Sequence, residues 1–440
     1  TFVLTSIFVL LVFWRPQEWL FPWLYGFPLL DIIVGAALIF LIVEANQQIV
    51  KIPRNMPQVW LYFGLWIATL MSHVVHTYWE FFVKIFPETF KVCFFGFLLF
   101  SLIDRIKRAR IIVGLIVFMV IIMAIHAVLQ QTRGYGFAEQ RPILHYRPAT
   151  QTLSVRSLFF GIFEDPNDLG QILAATVPLV FAFPRRMGFR GIFFALTASA
   201  LLIWALISTD SRGGMVGFGI GFAVMISLLL PARWLPKLLL LIFFSALLIC
   251  PFAGEMMDAS AHDRVVFWGE ANWVFKHNML FGVGHGLFSD YVSGDRAAHN
   301  VFVECYTSIG LFGYWFWFNL LQLAMVGAWR VRQIFAKPKN LDELWVRRMA
   351  GMGIASLASF CASAYFLSRA MIFPLFFLTA LVGSLPVVAK SILPKDYPDI
   401  IYTKPDVLII GTASSLILSL IHISEPTRLL SISYAVFCLK

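Results

Sequence analysis

The chain has 440 residues, of which 60% are apolar and 13% charged, with 45 Phe and 14 Trp; an ordinary soluble domain carries roughly 25% charged residues. Together with a mean hydropathy of +0.80, this excludes a disordered chain, a disulfide-stapled miniprotein and most soluble enzymes, and leaves an integral membrane protein. The formal net charge of +10 does not by itself imply nucleic acid, because charge in a membrane protein must first be sorted by side.

A membrane helix needs about 20 predominantly apolar residues. Runs of that kind predict about twelve spans, at 2–14, 27–44, 57–75, 84–103, 111–129, 167–184, 190–208, 213–230, 235–253, 300–328, 349–368 and 371–390. Basic residues fall on every second connection. They are Lys51 and Arg54; Arg105, Lys107, Arg108 and Arg110; Arg185, Arg186 and Arg190; Arg233 and Lys237; then Arg330, Arg332, Lys337, Lys339, Arg347 and Arg348. The positive-inside rule turns these loops to the cytoplasm, along with the N-terminus and the tail after Lys390. Basic residues spread over short loops also speak against a nucleic-acid partner. The expected fold is therefore an all-α polytopic membrane protein with about 12 transmembrane helices.

The expected organisation is an N-terminal transmembrane region at 1–129, an outer loop at 130–166 and a core at 167–330 that contains a second long outer loop at 254–299. A transmembrane pair at 331–390 and a cytoplasmic tail at 391–417 follow. Long loops are where function concentrates. In the second one, Arg264, Trp268, Ala271 and Phe275 recur at helical spacing, which predicts a surface helix lying in the membrane interface with its aromatics in lipid.

Both ends carry non-structural signals. The chain opens on Thr rather than Met, so it is expected to begin inside a gene or after a removed start. At the other end, 418–428 (LSLIHISEPTR) resembles a translated sequencing-library adapter, and 432–439 (ISYAVFCL) resembles the primer that follows it. The stretch 418–440 therefore carries no weight in fold reasoning. The cysteines before it, Cys93, Cys250, Cys305 and Cys361, have no CxxC spacing and sit in or beside apolar runs. They read as small buried hydrophobes, and no metal site is expected.

Three places on the outer face carry chemistry. The first is Ser211-Arg212-Gly213-Gly214, in a very short turn. Arg212 either snorkels, pairs with Asp210, or binds an anion beside glycines that let a ligand approach the backbone. The second is Arg264, which alone reads as a lipid-headgroup contact. The third is His299-Asn300, followed after nine residues by Gly310-Leu311-Phe312-Gly313. A boundary histidine is often only a hydrogen-bonding residue, and is also the default general base. Glu304 follows about one turn later, and an ionisable residue inside a span is a functional candidate by default.

Weaker candidates surround these. Asp165, Asn167 and Asp168 either cap a helix that starts at Pro166, bind sugar hydroxyls or pair with Arg156. Trp268 and Asn300 are further substrate-binding candidates. Arg133, Arg141, Arg147 and Arg156 give the first outer loop a positive field. Lys84, Glu88 and Lys91 are spaced for mutual ion pairs in the fourth span. Gly282, Gly284 and Gly286 read as a tight turn, since no Lys-Ser/Thr pair follows as in a phosphate loop.

Five motifs occur in order: FEDPNDLG at 163–170, STDSRGG at 208–214, RVVFWGEANWVF at 264–275, FGVGHGLF at 281–288 and HN-x9-GxxG at 299–313. Together they resemble the bacterial O-antigen ligase / O-antigen polymerase superfamily over about residues 155–330. The N-terminal half is similar, less specifically, to O-glycosylation ligases. The resemblance implies a GT-C-type glycosyltransferase in the bacterial inner membrane, with a long periplasmic loop before the tenth span and its active site facing the periplasm. It implies transfer of a glycan from undecaprenyl diphosphate to an acceptor hydroxyl, on a lipid A core, a protein or another glycan, without nucleotide sugar, ATP, metal or other cofactor. By motif, His299 matches the essential histidine, and Arg212 and Arg264 match two functional arginines. The partners so implied are the lipid-linked donor, the acceptor and membrane lipids, with no nucleic acid. A polymerase of the same superfamily, a lipid-linked sugar transporter and an assembly scaffold are the competing readings. An outward cavity shared by Arg212, Arg264 and His299 would favour the enzyme.

Overall fold

The computed structural model describes residues 1–24, 26–147, 152–229, 259–292, 299–394, 397, 411, 412 and 416. The predicted span at 235–253, most of the tail at 391–417 and the whole of 418–440 lie outside the described residues.

The helices run in the order α1 (Phe2–Trp14), α2 (Pro16–Trp19), α3 (Leu29–Asn46), α4 (Pro57–Val74), α5 (Trp79–Leu102), α6 (Ile106–Arg133), α7 (Pro166–Ala182), α8 (Phe189–Ser208) and α9 (Arg212–Leu229). Then come α10 (Ala259–His277), α11 (Val301–Ile334), α12 (Leu341–Ala364), α13 (Phe373–Gly383) and α14 (Leu385–Lys390). Every predicted span among the described residues coincides with one of these helices, α13 and α14 together making the last. Seven are long and apolar enough to cross a membrane: α3, α5, α6, α8, α9, α11 and the α13–α14 run. A chain with this many such helices is a multi-pass membrane protein. One element departs from the all-helical expectation. The first outer loop folds into an antiparallel hairpin, β1 (Ile143–Arg147) with β2 (Thr152–Arg156), in which Ile143 faces Arg156.

The helix ends follow local chemistry. α6 stops at Gly134, whose left-handed backbone (φ 81°) returns its N–H to Gln130 O. α7 begins with Pro166, and Asp165 Oδ1 accepts from Asn167 N at 2.7 Å. α11 and α12 are capped by Asn300 and Asn340, whose side-chain oxygens each accept two backbone N–H groups.

α7, α9 and α12 pack closely on one another. Gly213, Gly217 and Gly221 recur every four residues along the α9 face that meets α12. A methyl group at Gly217 would fall on Ser363, and one at Gly221 would lie 2.6 Å from Ser359 Cβ. This is small-residue helix packing as used in membranes, where close backbone approach replaces the hydrophobic drive. Gly214 likewise faces Gly170 of α7, with 3.2 Å from its notional Cβ to the Gly170 Cα. Of the readings open for the Arg212 turn, close approach of a ligand at its glycines is not the one these positions serve: a Cβ at Gly213 would meet Phe366, and one at Gly214 would meet Leu206 and Gly170.

The basic loops gather at one end of the bundle. Arg185 pairs with Asp342 at 3.2 Å, Arg348 bonds the carbonyl of Pro184, and Arg332 bonds that of Leu228. Asp104 is held below the usual carboxylate range. Burial raises it, and the Arg105 hydrogen bond with the charges of Arg108 and Arg105 outweighs that rise. The ion pairs expected around Lys91 form with Glu88 (3.0 Å) and also with Asp31 of α3 (3.1 Å).

α11 is not continuous. Gly310 has φ 66° and ψ −175°, which breaks the helix into 301–309 and 311–334. The segment 279–284 lies in the gap. Val283 N and Gly284 N donate to Thr307 O (3.0 Å) and Ser308 O (2.9 Å), while Leu311 N and Phe312 N donate to Met279 O (2.8 Å) and Leu280 O (3.1 Å). Backbone groups freed by the break are thereby satisfied by protein, as buried backbone requires.

Candidate functional site

The motif residues collect at the end opposite the basic loops. The hairpin is fastened there by Gln131 Nε2, which donates to Val155 O at 3.0 Å and Ser208 O at 3.1 Å, and by Ser157 N, which donates to Ser208 O at 2.9 Å. This fixes Arg156 at the end of β2. Its Nε donates to Thr209 O (3.1 Å) and its Nη2 to Asn167 Oδ1 (3.0 Å). Arg156 therefore joins the first turn of α7 to the α8–α9 turn.

That turn is tight. Asp210 has φ 51°, Ser211 N donates to Thr209 Oγ1 at 3.3 Å, and Ser211 Oγ accepts from Gly214 N at 3.1 Å. Arg212 is the first residue of α9 and is exposed. Its guanidinium is thus carried on the surface of a fixed turn.

On the other side, His299 is exposed and holds a left-handed backbone (φ 47°), a conformation uncommon outside glycine and stored at functional sites at a cost of about 1–3 kcal/mol. Its N–H donates to Ser368 Oγ at 2.8 Å. Asn300 is fully buried and caps α11. Ser368 lies in the link between α12 and α13, and Arg369 follows it. Arg369 Nη1 reaches Asp168 Oδ2 at 2.9 Å and Ile162 O at 3.3 Å.

A chain of contacts therefore runs from His299 through Ser368 and Arg369 to Asp168 on α7. It continues through Asn167 and Arg156 to Thr209 and the Arg212 turn. His299, Asn300, Arg212, Arg156, Asn167 and Asp165 stand on one rim. Asp165 acts as the α7 cap. Glu304 sits one turn into α11, with its N–H on Asn300 O at 2.9 Å.

α10 forms as expected, but its apolar stripe is not in lipid. Ala271 and Phe275 are fully buried against protein, Trp268 meets Tyr365 edge to face at 5.3 Å between centroids, and Asn272 accepts from Tyr306 Oη at 2.6 Å. Trp273 is turned outward, 64% exposed. The stripe faces inward because α11 offers Phe275 an aromatic partner in Tyr306 at 4.9 Å. Arg264 belongs to α10, four residues before Trp268; its side chain lies outside the described residues.

The glycine motif 281–288 is the tight turn expected, and it has a structural task. Gly282, Gly284 and Gly286 all have positive φ. The turn carries the strand that fills the α11 break, and it docks on α4: His285 N donates to Ser72 Oγ (3.3 Å), and His76 Nε2 to Gly282 O (2.7 Å). Burial pushes the His285 imidazole down to about 4, with the charge of His73 adding to the shift. The folded state thus favours neutral His285, whereas the unfolded imidazole titrates near 6.5. Its contribution is present above pH 6.5 and is lost as the pH falls towards 4. We expect the melting temperature in detergent to drop across that window by the equivalent of about 1–3 kcal/mol. His285→Gln should flatten the drop; an equally steep acid limb in that variant would contradict the assignment.

Sequence reasoning missed Ser368 and Arg369. A signal existed: Arg369 is the one cation between the apolar runs at 349–368 and 371–390. The described residues contain no cluster of three or more His, Cys, Asp or Glu able to hold a metal. Cys93, Cys305 and Cys361 are free thiols. The fold and this rim define a polytopic helical membrane protein with a charged, partly strained site at one end. No protein-family model matches the chain, and no curated protein matches it.

Proposed function

We propose that the chain is a glycosyltransferase of the bacterial inner membrane. It moves a glycan from undecaprenyl diphosphate to an acceptor hydroxyl at the periplasmic face. The observation that carries this reading is the contact chain that ties an exposed histidine and an exposed arginine to one rim, at the end opposite the basic loops. The resemblance of the ordered motifs to those of O-antigen ligases supplies the substrate class.

In this reading His299 takes the proton of the acceptor hydroxyl as its oxygen attacks the anomeric carbon. The bond from that carbon to the diphosphate oxygen breaks, and the carrier diphosphate leaves. Arg212 and Arg264 bind the diphosphate and offset the charge that builds on the leaving oxygen. One displacement inverts the sugar. The acceptor is a lipid A core sugar, a protein hydroxyl or another glycan.

The test mixes the purified chain with undecaprenyl-diphosphate glycan and each acceptor, without nucleotide or metal. A single discrete shift of an acceptor supports the ligase, and a ladder on the carrier would replace it by a polymerase. No turnover, with carrier movement between leaflets of liposomes, would replace the enzyme by a transporter. Arg212→Lys should lower transfer about 10–100-fold, because an ammonium cannot reproduce the planar fork of a guanidinium. Unchanged transfer by that variant would remove Arg212 from the diphosphate site.

A further inference from the structure

The basic end of the bundle holds a groove that the proposed reaction does not use. Its volume is about 890 Å³, within the range of small-molecule sites, about 300–1,000 Å³. One face of α6 forms its long wall, where Lys107, Arg110, Ile111, Gly114 and Phe118 recur at helical spacing. The other lining comes from Phe183 just after α7, Arg185 in the α7–α8 link and Asp342 in the first turn of α12. That second wall is fixed in place. Trp345 Nε1 donates to Ala182 O at 2.9 Å, Arg348 donates to Pro184 O, and the Phe183 ring meets Phe194 of α8 with centroids 5.6 Å apart. Gly114 sets the width, since a Cβ there would stand 2.9 Å from Phe183 Cε2.

Charge and hydropathy separate along the α6 wall. At the start of the helix, Arg105 and Arg108 pair with Asp104. Lys107 and Arg110 have no ion-pair partner among the described residues, and Arg110 Nε is buried without a hydrogen bond. Buried polar groups are nearly always hydrogen-bonded, so this guanidinium is short of an acceptor. Arg185 and Asp342 pair with each other at 3.2 Å, which leaves the two α6 cations as the uncompensated charge of the groove. Farther along α6 the wall is apolar yet open, with Ile111 40% and Phe118 57% exposed. Arg110 and Phe118 stand about 12 Å apart along the helix axis, most of the depth of one hydrocarbon leaflet, about 15 Å. α6 is among the helices long and apolar enough to cross a membrane.

A free phosphate would satisfy the two cations and leave the apolar wall without a role. A hydrocarbon chain alone would do the reverse. A single molecule that joins an anionic group to a chain answers both. We propose that this groove holds an anionic phospholipid, with its phosphate between Lys107 and Arg110 and an acyl chain along Ile111, Gly114 and Phe118. Arg110 offers a planar fork to two phosphate oxygens, and Lys107 a mobile point charge. Basic pockets between membrane helices take such headgroups. A lipid held there bridges α6 to the α7–α8 link. The inference does not depend on the reaction proposed above.

The test titrates the delipidated full chain in detergent with dioleoyl phosphatidylglycerol and dioleoyl phosphatidylcholine, and reads bound lipid by native mass spectrometry. The two lipids have the same chains and differ in net charge. Phosphatidylglycerol is expected to bind about 10-fold or more tightly. Lys107→Gln/Arg110→Gln should cut that preference to about 3-fold or less. Lys51→Gln/Arg54→Gln removes two charges that do not line the groove and should leave the preference within about 2-fold. Lys107 is exposed, so Lys107→Gln alone, with an expected loss of about 3-fold, decides the matter if the double variant does not fold. Equal affinity for the two lipids, or equal losses in the two double variants, would overturn the site in favour of general surface attraction. Displacement of phosphatidylglycerol by millimolar inorganic phosphate at constant ionic strength would make the groove a free-phosphate site and would also overturn the proposal.

Discussion

Under the proposed function, replacing His299 by alanine is expected to lower glycan transfer by about 10²- to 10⁴-fold, the usual loss on removing a general base. The chain should still insert and fold. The backbone N–H that meets Ser368 Oγ survives the substitution, and histidine already bears most of the cost of φ 47°, so alanine adds less than about 1 kcal/mol and the melting temperature falls only slightly. His299→Asn sharpens the experiment, since asparagine tolerates the left-handed backbone yet cannot take up the proton. The measurement is initial transfer rate beside melting temperature in the same preparation. If either variant keeps more than about a third of the native rate, His299 is not the base.

Gly310→Ala is expected to have the largest effect on stability. Its backbone (φ 66°, ψ −175°) lies in a region essentially reserved for glycine, and occupying it otherwise costs about 1–3 kcal/mol. A methyl group there would also press on Leu280 O and Phe281 N, and overpacking adds about 1–3 kcal/mol. The sum is a large part of the roughly 5–15 kcal/mol that holds a domain together. The variant should melt far below the native chain or fail to accumulate. Gly269→Ala is the control. Nothing stands within 4 Å of a Cβ at that position inside α10, so it should be neutral or stabilising by up to about 1 kcal/mol. Equal melting of the two variants would mean that the break in α11 is not required.

The helices and the gathering of basic loops at one end were legible because length, hydropathy and charge alternation are local signals. So were the α7 start at Asp165-Pro166, the Arg156–Asn167 contact and the tight turn at 281–288. The burial of the α10 stripe was not. Trp268, Ala271 and Phe275 have the same spacing whether their partner is lipid or Tyr306, and the choice is made by tertiary packing. The glycines at 213 and 214 left their role open for a related reason: a small residue permits approach without saying what approaches. Ser368 and Arg369 escaped notice because their partners, His299 and Asp168, lie far off in the chain. Gly310 stood in a motif read for chemistry, and its role as a break appears only once 279–284 is seen beside it.

The break also bears on how the protein is made. Translation proceeds from the N-terminus, so 279–284 has emerged before 301–309 is synthesised. When the first half of α11 arrives, the donors for Thr307 O and Ser308 O are already waiting. A permuted gene that delivered α11 ahead of 279–284 would leave two carbonyls and two amides of the gap without these partners until that segment followed. The order of segments in the gene is in this sense part of the folding instruction: the filler must precede the gap.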